Sequence, residues 1–278
     1  MVQEATRCLR FVDVSAWDST SEEWRRLLLQ LPDHEQKQVT RFMFVKDQKL
    51  ALASRLLQRQ LIHELFGVKY DTIAIARTPE NKPYWNRLGN LAPISWNYNV
   101  SHHGTVVAIA SDSRALVGVD VVRLTDRPHR KTSIEEFFRA FADHFNPGEW
   151  EYIRGATDED GRYTRFYRLW SLKEAYIKAV GIGLGFSLLR AEFVCVNLTG
   201  DNHWELRLDG TLSSDWHFTS TQIDAAHLVS VAYGPFSAMW KPETSSLFHG
   251  DISQYGSDTT STEEIATWQE WRLQDLLR

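Results

Sequence analysis

Two stretches of this sequence repeat one another's design. KDQKLALASRLLQRQLIHELF (46–66) carries Leu50, Ala53, Leu57, Leu61 and Leu65 at helical spacing and runs into Gly67. TRFYRLWSLKEAYIKAV (164–180) reads as a second long helix and breaks at GIGLGF. An apolar stripe of period 3.6 closed by glycine reads as a helix buried on one side and ended by a left-handed turn. The two stretches share a small-residue–Ser step, a mixed cationic face and the closing glycine, and each follows shorter helices and precedes strands. That order predicts an internal duplication: an α+β fold of two similar lobes, each a small antiparallel sheet packed with helices, with a ligand cleft between them. The expected bounds are 1–115 for the N-terminal lobe, 116–240 for the C-terminal lobe, and 241–278 for an acidic linker and terminal helix.

Local signals fill in the lobes. Ser21 caps a helix over 21–31 that Pro32 stops, and another follows through Arg41 and Phe42. Residues 70–76 read as a strand and TPENKP (78–83) as a turn. After WNYNVSHHG come VVAIAS, the turn DSR and ALVGVDVV, two β-branched runs that read as a hairpin. In the second run Val117, Val119 and Val121 share a face, which turns Asp120 to the other, beside the unobstructed Gly118. Helices are expected at 133–142 and 147–154, a polar loop at 155–163, and strands at 190–196, 203–209, 214–219 and 227–233. The Ser/Thr/Gly/Asp-rich stretch 241–262 reads as a linker. A capping box of Ser261 and Glu264 opens a last helix over 262–277, which Ile265, Trp268 and Leu276 would dock on the body.

Composition closes off several classes. At 43% apolar and 12% aromatic the chain can bury a real core, so wholesale disorder is excluded. No apolar run approaches the ~18 residues of a membrane span. Glu4, Arg7, Arg10 and Asp13 stand where an export signal needs apolar residues. Cys8 and Cys195 alone make neither a disulfide framework nor a zinc site, and a reducing cytoplasm is expected. Residues 241–278 hold seven acids against three bases, which leaves 1–240 at −1 of the total −5. A nearly neutral body argues against nucleic acid as a partner.

Four islands could carry chemistry: Arg77 with Lys82, Ser101–His102–His103, Asp120, and Lys173–Glu174–Lys178. Each alone has a plain structural explanation; Glu174 and Lys178, for example, have the i,i+4 spacing of the commonest helix-surface ion pair. Together they suggest more. A carboxylate on a glycine-relieved strand face and another on an inward helix suit Mg²⁺, a hard cation that takes oxygen ligands and shares substrate phosphates. Arg77, Lys82, Ser101, His102 and Lys178 are donors suited to phosphate. With no phosphate-binding glycine loop, GxGxxG, HExxH or GxSxG, phosphoryl or phosphodiester-type transfer on a diphosphate substrate is the chemistry left.

NYNVSHHG, then GVDVV, then FYRLWSLKEAYIKAVGIGLGF resemble the signature set of the 4′-phosphopantetheinyl transferases. The resemblance is to the monomeric, two-lobed, pseudo-twofold type, and within it to the aminoadipate-semialdehyde dehydrogenase phosphopantetheinyl transferase subgroup. RTPENKP resembles a segment of the same family, and the similarity spans about residues 35–235. It implies transfer of the phosphopantetheine arm of coenzyme A to a serine of an acyl, peptidyl or aminoacyl carrier domain, with release of 3′,5′-ADP. It implies Mg²⁺ between Asp120 and Glu174, Lys178 on phosphate, Asn99, Ser101 and His102 at the nucleotide phosphate and ribose, and Arg77 with Lys82 at the adenine and 3′-phosphate. Carriers of fatty acid synthase and of aminoadipate-semialdehyde dehydrogenase are the implied partners.

Two departures from the family pattern stand out. Val122 takes the place of a second acid, so water or His103 would complete the metal shell. Upstream, where relatives place a phosphate-binding base, Lys37 or Arg41 would serve. In the expected reaction the metal and Lys178 offset charge on the leaving 3′,5′-ADP while the serine attacks in line. Glu174 is the first choice for its base and Glu149 the second. Carrier domains are small and acidic, so docking is expected on the cationic face of 46–59, with Arg55 and Arg59, or on Phe137, Phe138 and Phe141, residues that are more often core. The rival readings are a Mg²⁺-dependent phosphodiesterase, which would release product without a carrier, and a non-catalytic coenzyme A-binding module.

Overall fold

The computed structural model describes residues 7–87, 91–128, 132–196, 204–239 and 266–277. In chain order they form β1 (Cys8–Asp13), α1 (Glu22–Leu29), α2 (Asp33–Thr40), α3 (Val45–Phe66), β2 (Ile75–Arg77), β3 (Pro83–Trp85), β4 (Asn97–His103), β5 (Val106–Asp112) and β6 (Leu116–Arg123). Then follow α4 (Ile134–Arg139), α5 (Pro147–Arg154), α6 (Glu159–Val180), β7 (Ala191–Cys195), β8 (Trp204–Leu208), β9 (Thr211–Leu212), β10 (His217–Gln222), β11 (His227–Gly234) and β12 (Gln269–Glu270).

The duplicated design is visible in α3 and α6. Each is 22 residues long and each ends on a left-handed glycine, Gly67 at φ 65° and Gly181 at φ 80°. Ser21 caps α1 by accepting from the Trp24 N–H, and α5 opens on Pro147 behind an Asn146–Glu149 capping box. The first lobe sets α3 on a sheet of order β12-β1-β5-β4; the second sets α6 on β10-β11-β6, with β7-β8-β9 beside it. This is an α+β fold of small, mainly antiparallel sheets packed with helices. Each lobe has its own core: Leu52, Leu56, Leu57 and Trp96 in the first, Phe166, Leu169, Leu172 and Trp216 in the second. A third apolar cluster lies between the sheets, with Leu9, Val106, Ala108, Val117, Val119 and Val231.

The lobes meet along β4 and β6, the edges of their respective sheets. Every second side chain of β4 crosses that seam. Asn97 Oδ1, Asn99 Oδ1, Ser101 Oγ and His103 Nδ1 accept from the backbone N–H of Val117, Val119, Val121 and Arg123 at 2.9, 2.9, 3.4 and 3.1 Å. Side chains thus satisfy amides that an edge strand buried in the molecule would otherwise leave bare.

Several expectations need correction. The runs 106–112 and 116–123 do not form a hairpin: β5 pairs with β1 and β4, and β6 with β11. Both are buried on both faces, the mark of strands sandwiched between layers and not of a half-solvated ribbon. The strand expected at 70–76 is a single 3-10 turn, Tyr70–Thr72, followed by β2, which pairs with β3 around the 78–82 turn. The loop at 155–163 is shorter than expected, because Asp158 accepts from the Gly161 N–H and starts α6 at Glu159. No helix fills the described part of 262–277. That part forms β12, parallel to β1, and a 3-10 turn at Leu273–Leu276. Trp268 and Leu276 do dock on the body, Leu276 in the first-lobe core beside Trp271. The expected linker 241–262, its capping box and Ile265 lie outside the described residues. Finally, α3 has no solvated cationic face at Arg59, which is buried and forms a two-pronged ion pair with Glu35 at 2.7 and 3.0 Å.

Candidate active site

Three elements converge at the seam. Gly118 lets α6 lie directly against β6: a Cβ there would meet the Ala175 carbonyl oxygen at 2.1 Å and Ala179 N at 2.3 Å. Glu174 and Lys178 lie one turn apart on this helix. From β6 comes Asp120 and from β4 Ser101, both buried. Lys178 Nζ donates to Asp120 Oδ1 at 2.5 Å and to Ser101 Oγ at 2.8 Å, and Ser101 Oγ lies 3.2 Å from the same Asp120 oxygen. The backbone of Asp120 is tied to the helix too, its carbonyl accepting from Ser171 Oγ at 3.3 Å.

Glu174 completes the cluster. Among the described residues no cation or N–H pairs with its carboxyl. Burial and then the charge of Asp120 push its pKa up, against a lowering pull from Lys178. Two acids with one lysine between them leave a surplus of negative charge in a half-buried place. Among the described residues no group of three or more Asp, Glu, His or Cys gathers around a potential metal. The donor set of two carboxylates nonetheless fits a hard divalent cation that keeps waters and takes its remaining oxygens from a phosphate substrate.

Lys178 also borders a cleft of ≈ 280 Å³ lined by Ser54, Arg77, Asn81, Lys82, Asn99 and His102, among others. Five residues singled out from sequence (Arg77, Lys82, Asn99, His102 and Lys178) therefore share one cavity. Their chemical states differ. Lys82 turns its ammonium away, onto the carbonyls of Val117, Lys178 and Ala179 at 3.1, 2.8 and 3.1 Å, and burial draws its pKa down to about 7. Its stem borders the cleft while its charge caps the end of α6. Burial, followed by the charges of Lys178 and His103, keeps the His102 pKa below its usual value. Asn99 spends its amide oxygen on the seam. Arg77 is exposed, bonded to the Asn81 carbonyl at 2.9 Å, and borders a second cavity of ≈ 170 Å³ that also holds Glu35, Arg55 and Arg59. Burial lowers the Arg55 pKa, and nearby Arg77, Arg59 and Arg41 lower it further while Glu35 opposes them. Arg41 and Lys37 are exposed at the end of α2.

Other expected residues sit elsewhere. Glu149 is sealed in the second-lobe core, 2.9 Å from Lys173 Nζ and with oxygens accepting from the Phe193 and Asn146 N–H groups. Fully buried and fully partnered, it is a structural group and not a base facing the cleft. His103 spends Nδ1 on the Arg123 N–H and sets Nε2 2.9 Å from Asp126, which leaves no ring nitrogen for a metal. Val122 packs with Leu124, Leu228, Tyr167 and Trp170, an apolar niche where an acid would be stranded. Phe138 is core, with Phe137 and Phe141 packed against it. Ser54 and Asn81 were missed. Ser54 looks like an ordinary small helix residue, and only the left-handed conformation of Asn81 (φ 71°) hints at the tight turn that brings it to the cleft.

Two lobes that close on a cleft lined by polar and cationic side chains, with a lysine, a serine and two acids at the seam, make a site suited to a phosphate-bearing substrate. Comparison with known families agrees. Residues 15–114 match the 4′-phosphopantetheinyl transferase N-terminal family, and residues 116–232 match the 4′-phosphopantetheinyl transferase superfamily. The chain is 36% identical over 222 residues to the L-aminoadipate-semialdehyde dehydrogenase-phosphopantetheinyl transferase of Rattus norvegicus, covering 78% of this chain and 71% of the relative. It is 38% identical over 223 residues to a phosphopantetheinyl transferase of Thraustochytrium sp., covering 79% and 75%. The crystal structure of Thermotoga maritima holo-acyl-carrier-protein synthase aligns with 43% of this chain and 63% of its own at a TM-score of 0.32 and 21% identity. The chain belongs to the 4′-phosphopantetheinyl transferase superfamily, and transfer of a phosphopantetheinyl group from coenzyme A is its reaction class.

Proposed function

We propose that the cleft binds coenzyme A with its diphosphate at Lys178 and Ser101, its nucleotide end toward Asn99, His102, Lys82 and Arg77, and Arg41 near the phosphates. The observation that carries this reading is the Ser101–Asp120–Lys178 triangle, with Glu174 one helical turn away, at the edge of the cleft. The carboxylates of Asp120 and Glu174 would hold a magnesium ion, which supplies positive charge to the diphosphate. The hydroxyl of a carrier-domain serine attacks the phosphorus bearing the pantetheine arm. Its bond to the bridging oxygen breaks, and 3′,5′-ADP leaves with the electron pair. Lys178 offsets the charge on that leaving group. The serine proton passes to Glu174, whose raised pKa suits a base. Domains of the aminoadipate-semialdehyde dehydrogenase and fatty acid synthase type are the acceptors. We take the enzyme to be a cytoplasmic monomer that divides at 115/116, with 266–277 returning to the first lobe.

One assay tests the reading. The protein is incubated with coenzyme A, Mg²⁺ and an apo carrier domain, and the carrier is weighed. Wild type adds one phosphopantetheine; Asp120→Ala and Glu174→Ala remain folded and lose most of the transfer. Near-normal Mg²⁺-dependent turnover in both variants refutes the assignment. Cleavage of coenzyme A with no carrier present would mark a phosphodiesterase, and binding without mass gain a non-catalytic module.

A further inference from the structure

An unusual stretch lies between α2 and α3. Phe42, Met43, Phe44 and Val45 follow one another in sequence and all are exposed, Met43 by 86% and Phe44 by 58%. Four successive bulky apolar side chains in water are costly to a soluble protein and mark a surface that is covered at some stage of its work. The run is held in place. Gln48 Nε2 donates to the Phe42 carbonyl at 2.8 Å, and the Phe44 carbonyl accepts from the Asp47 and Gln48 N–H groups as α3 begins. The apolar side chains are therefore presented on a fixed backbone.

Two further observations say what covers them. The first is charge. Residues 37–49 carry four bases (Lys37, Arg41, Lys46 and Lys49) and one acid (Asp47), in a chain of net charge −5. Lys37, Arg41 and Lys46 are exposed and, among the described residues, have no acidic partner within ion-pair distance. The second is position. The run leads straight into α3, whose Ser54, nine residues on, lines the cleft. An exposed apolar run flanked by cations, one of them (Lys46) over the Phe44 ring at 5.8 Å, and joined to the helix that borders the cleft suits an acidic partner that must bring a residue to that cleft.

We propose that the 42–45 run, flanked in sequence by the exposed Lys37, Arg41 and Lys46, is the docking surface for the acidic carrier domain. The proposal rests on the transferase reading given above. It replaces the sequence-based alternatives of Arg55 with Arg59 and of the Phe137 cluster: Arg59 and Phe138 are buried, and Phe137 and Phe141 are partly buried against the second-lobe core. The apolar run supplies affinity by burial and the cations steer encounter.

Met43→Asp tests this on a side chain that supports nothing in the fold. Transfer kinetics are measured against apo carrier at saturating coenzyme A, with coenzyme A binding followed separately by calorimetry. The expected result is a fall of roughly ten-fold or more in kcat/KM for the carrier, with coenzyme A affinity unchanged. Met43→Leu should restore wild-type kinetics, and Lys46→Glu should lower kcat/KM and flatten its salt dependence. Carrier kinetics unaltered in Met43→Asp overturn the proposal. So does a parallel loss of coenzyme A binding, since the run would then shape the cleft. So does a concentration-dependent dimer that Met43→Asp dissolves while carrier kinetics stand, since the run would then bind a second copy of this chain. Absence of transfer by the wild type would instead fell the functional reading itself, and it is seen before any substitution is made.

Discussion

A single methyl group on Gly118 tests how the site is put together. A Cβ at this position would stand 2.1 Å from the Ala175 carbonyl oxygen, 2.3 Å from Ala179 N and 2.8 Å from Ala179 Cα. All three are backbone atoms, so no rotamer change relieves the clash. Ordinary contact begins near 3.4 Å, so α6 must withdraw from β6 by roughly 1 Å. Glu174 and Lys178 move with the helix, while Asp120, two residues from the glycine, stays on the strand. The 2.5 Å link between Lys178 and Asp120 is the contact that opens. Overpacking of this kind costs about 1–3 kcal/mol, which at about 2–4 °C per kcal/mol lowers Tm by roughly 2–12 °C. Displacing reacting groups by about 1 Å costs on the order of 100-fold in rate, so transfer should fall much further than stability. Calorimetric melting is compared with the rate of carrier mass gain, at a temperature where Gly118→Ala is fully folded. If Gly118→Ala melts and turns over like wild type, α6 does not rest on this glycine and the proposed seating of the site is wrong.

Glu174 ties stability to function through pH. Its folded-state pKa is raised above the usual 4.5, so the stability it contributes is full below the unfolded pKa and is lost as pH rises through the folded one. Metal-free Glu174→Gln should therefore melt above wild type at pH 7.5, with a gap that shrinks toward pH 4 while transfer is absent; a gap independent of pH would contradict this. Arg59→Met leaves Glu35 buried with the looser contacts to Arg55 at 3.6 Å and His34 at 4.0 Å, and should cost about 3–5 kcal/mol in urea unfolding. A loss under 1 kcal/mol would mean that water already reaches the pair. Asn97→Ala removes one acceptor for the Val117 N–H and three donor contacts to Ser95, Asp112 and Ala115. Although Asn97 does not line the cleft, the variant should lower transfer along with Tm, and wild-type turnover would show that the seam does not position the site.

The long helices were legible in sequence because their ends carry chemistry that acts locally. Gly67 and Gly181 adopt the left-handed turn that glycine permits, and Ser21 caps α1, whatever the rest of the molecule does. Strand partners were not legible. In a continuous apolar run such as 106–112 no alternation says which neighbour lies on either side, and the short DSR link fits a hairpin as well as a crossing between sheets. Charge was misread for the same reason. Arg59 looks like a surface residue until Glu35, 24 residues away, proves to be its buried partner. The tail failed more instructively: Trp268 and Leu276 announced a docking segment correctly, but its form was set by the free edge of β1 and not by its own helical spacing.

The site motif itself has two roles, and the seam shows why they cannot be separated. In NYNVSHH the residues at 97, 99, 101 and 103 project to one side of β4 and hold β6 through its amides. Asn99 is also in the cleft wall, and Ser101 also meets Lys178 and Asp120. Two of the four side chains that fix one lobe against the other, Asn99 and Ser101, therefore also belong to the cleft wall or meet the lysine that borders it. A polar residue here is required twice over: the buried amide needs an acceptor, and the cleft needs a group that can meet phosphate or ribose. Separate sets of residues would let the lobes shift without disturbing the ligand contacts. With one set serving both, a small change in the angle between the lobes alters Ser101, Asp120 and Lys178 together. This is why Gly118 and Asn97, neither of which lines the cleft, are expected to control the reaction.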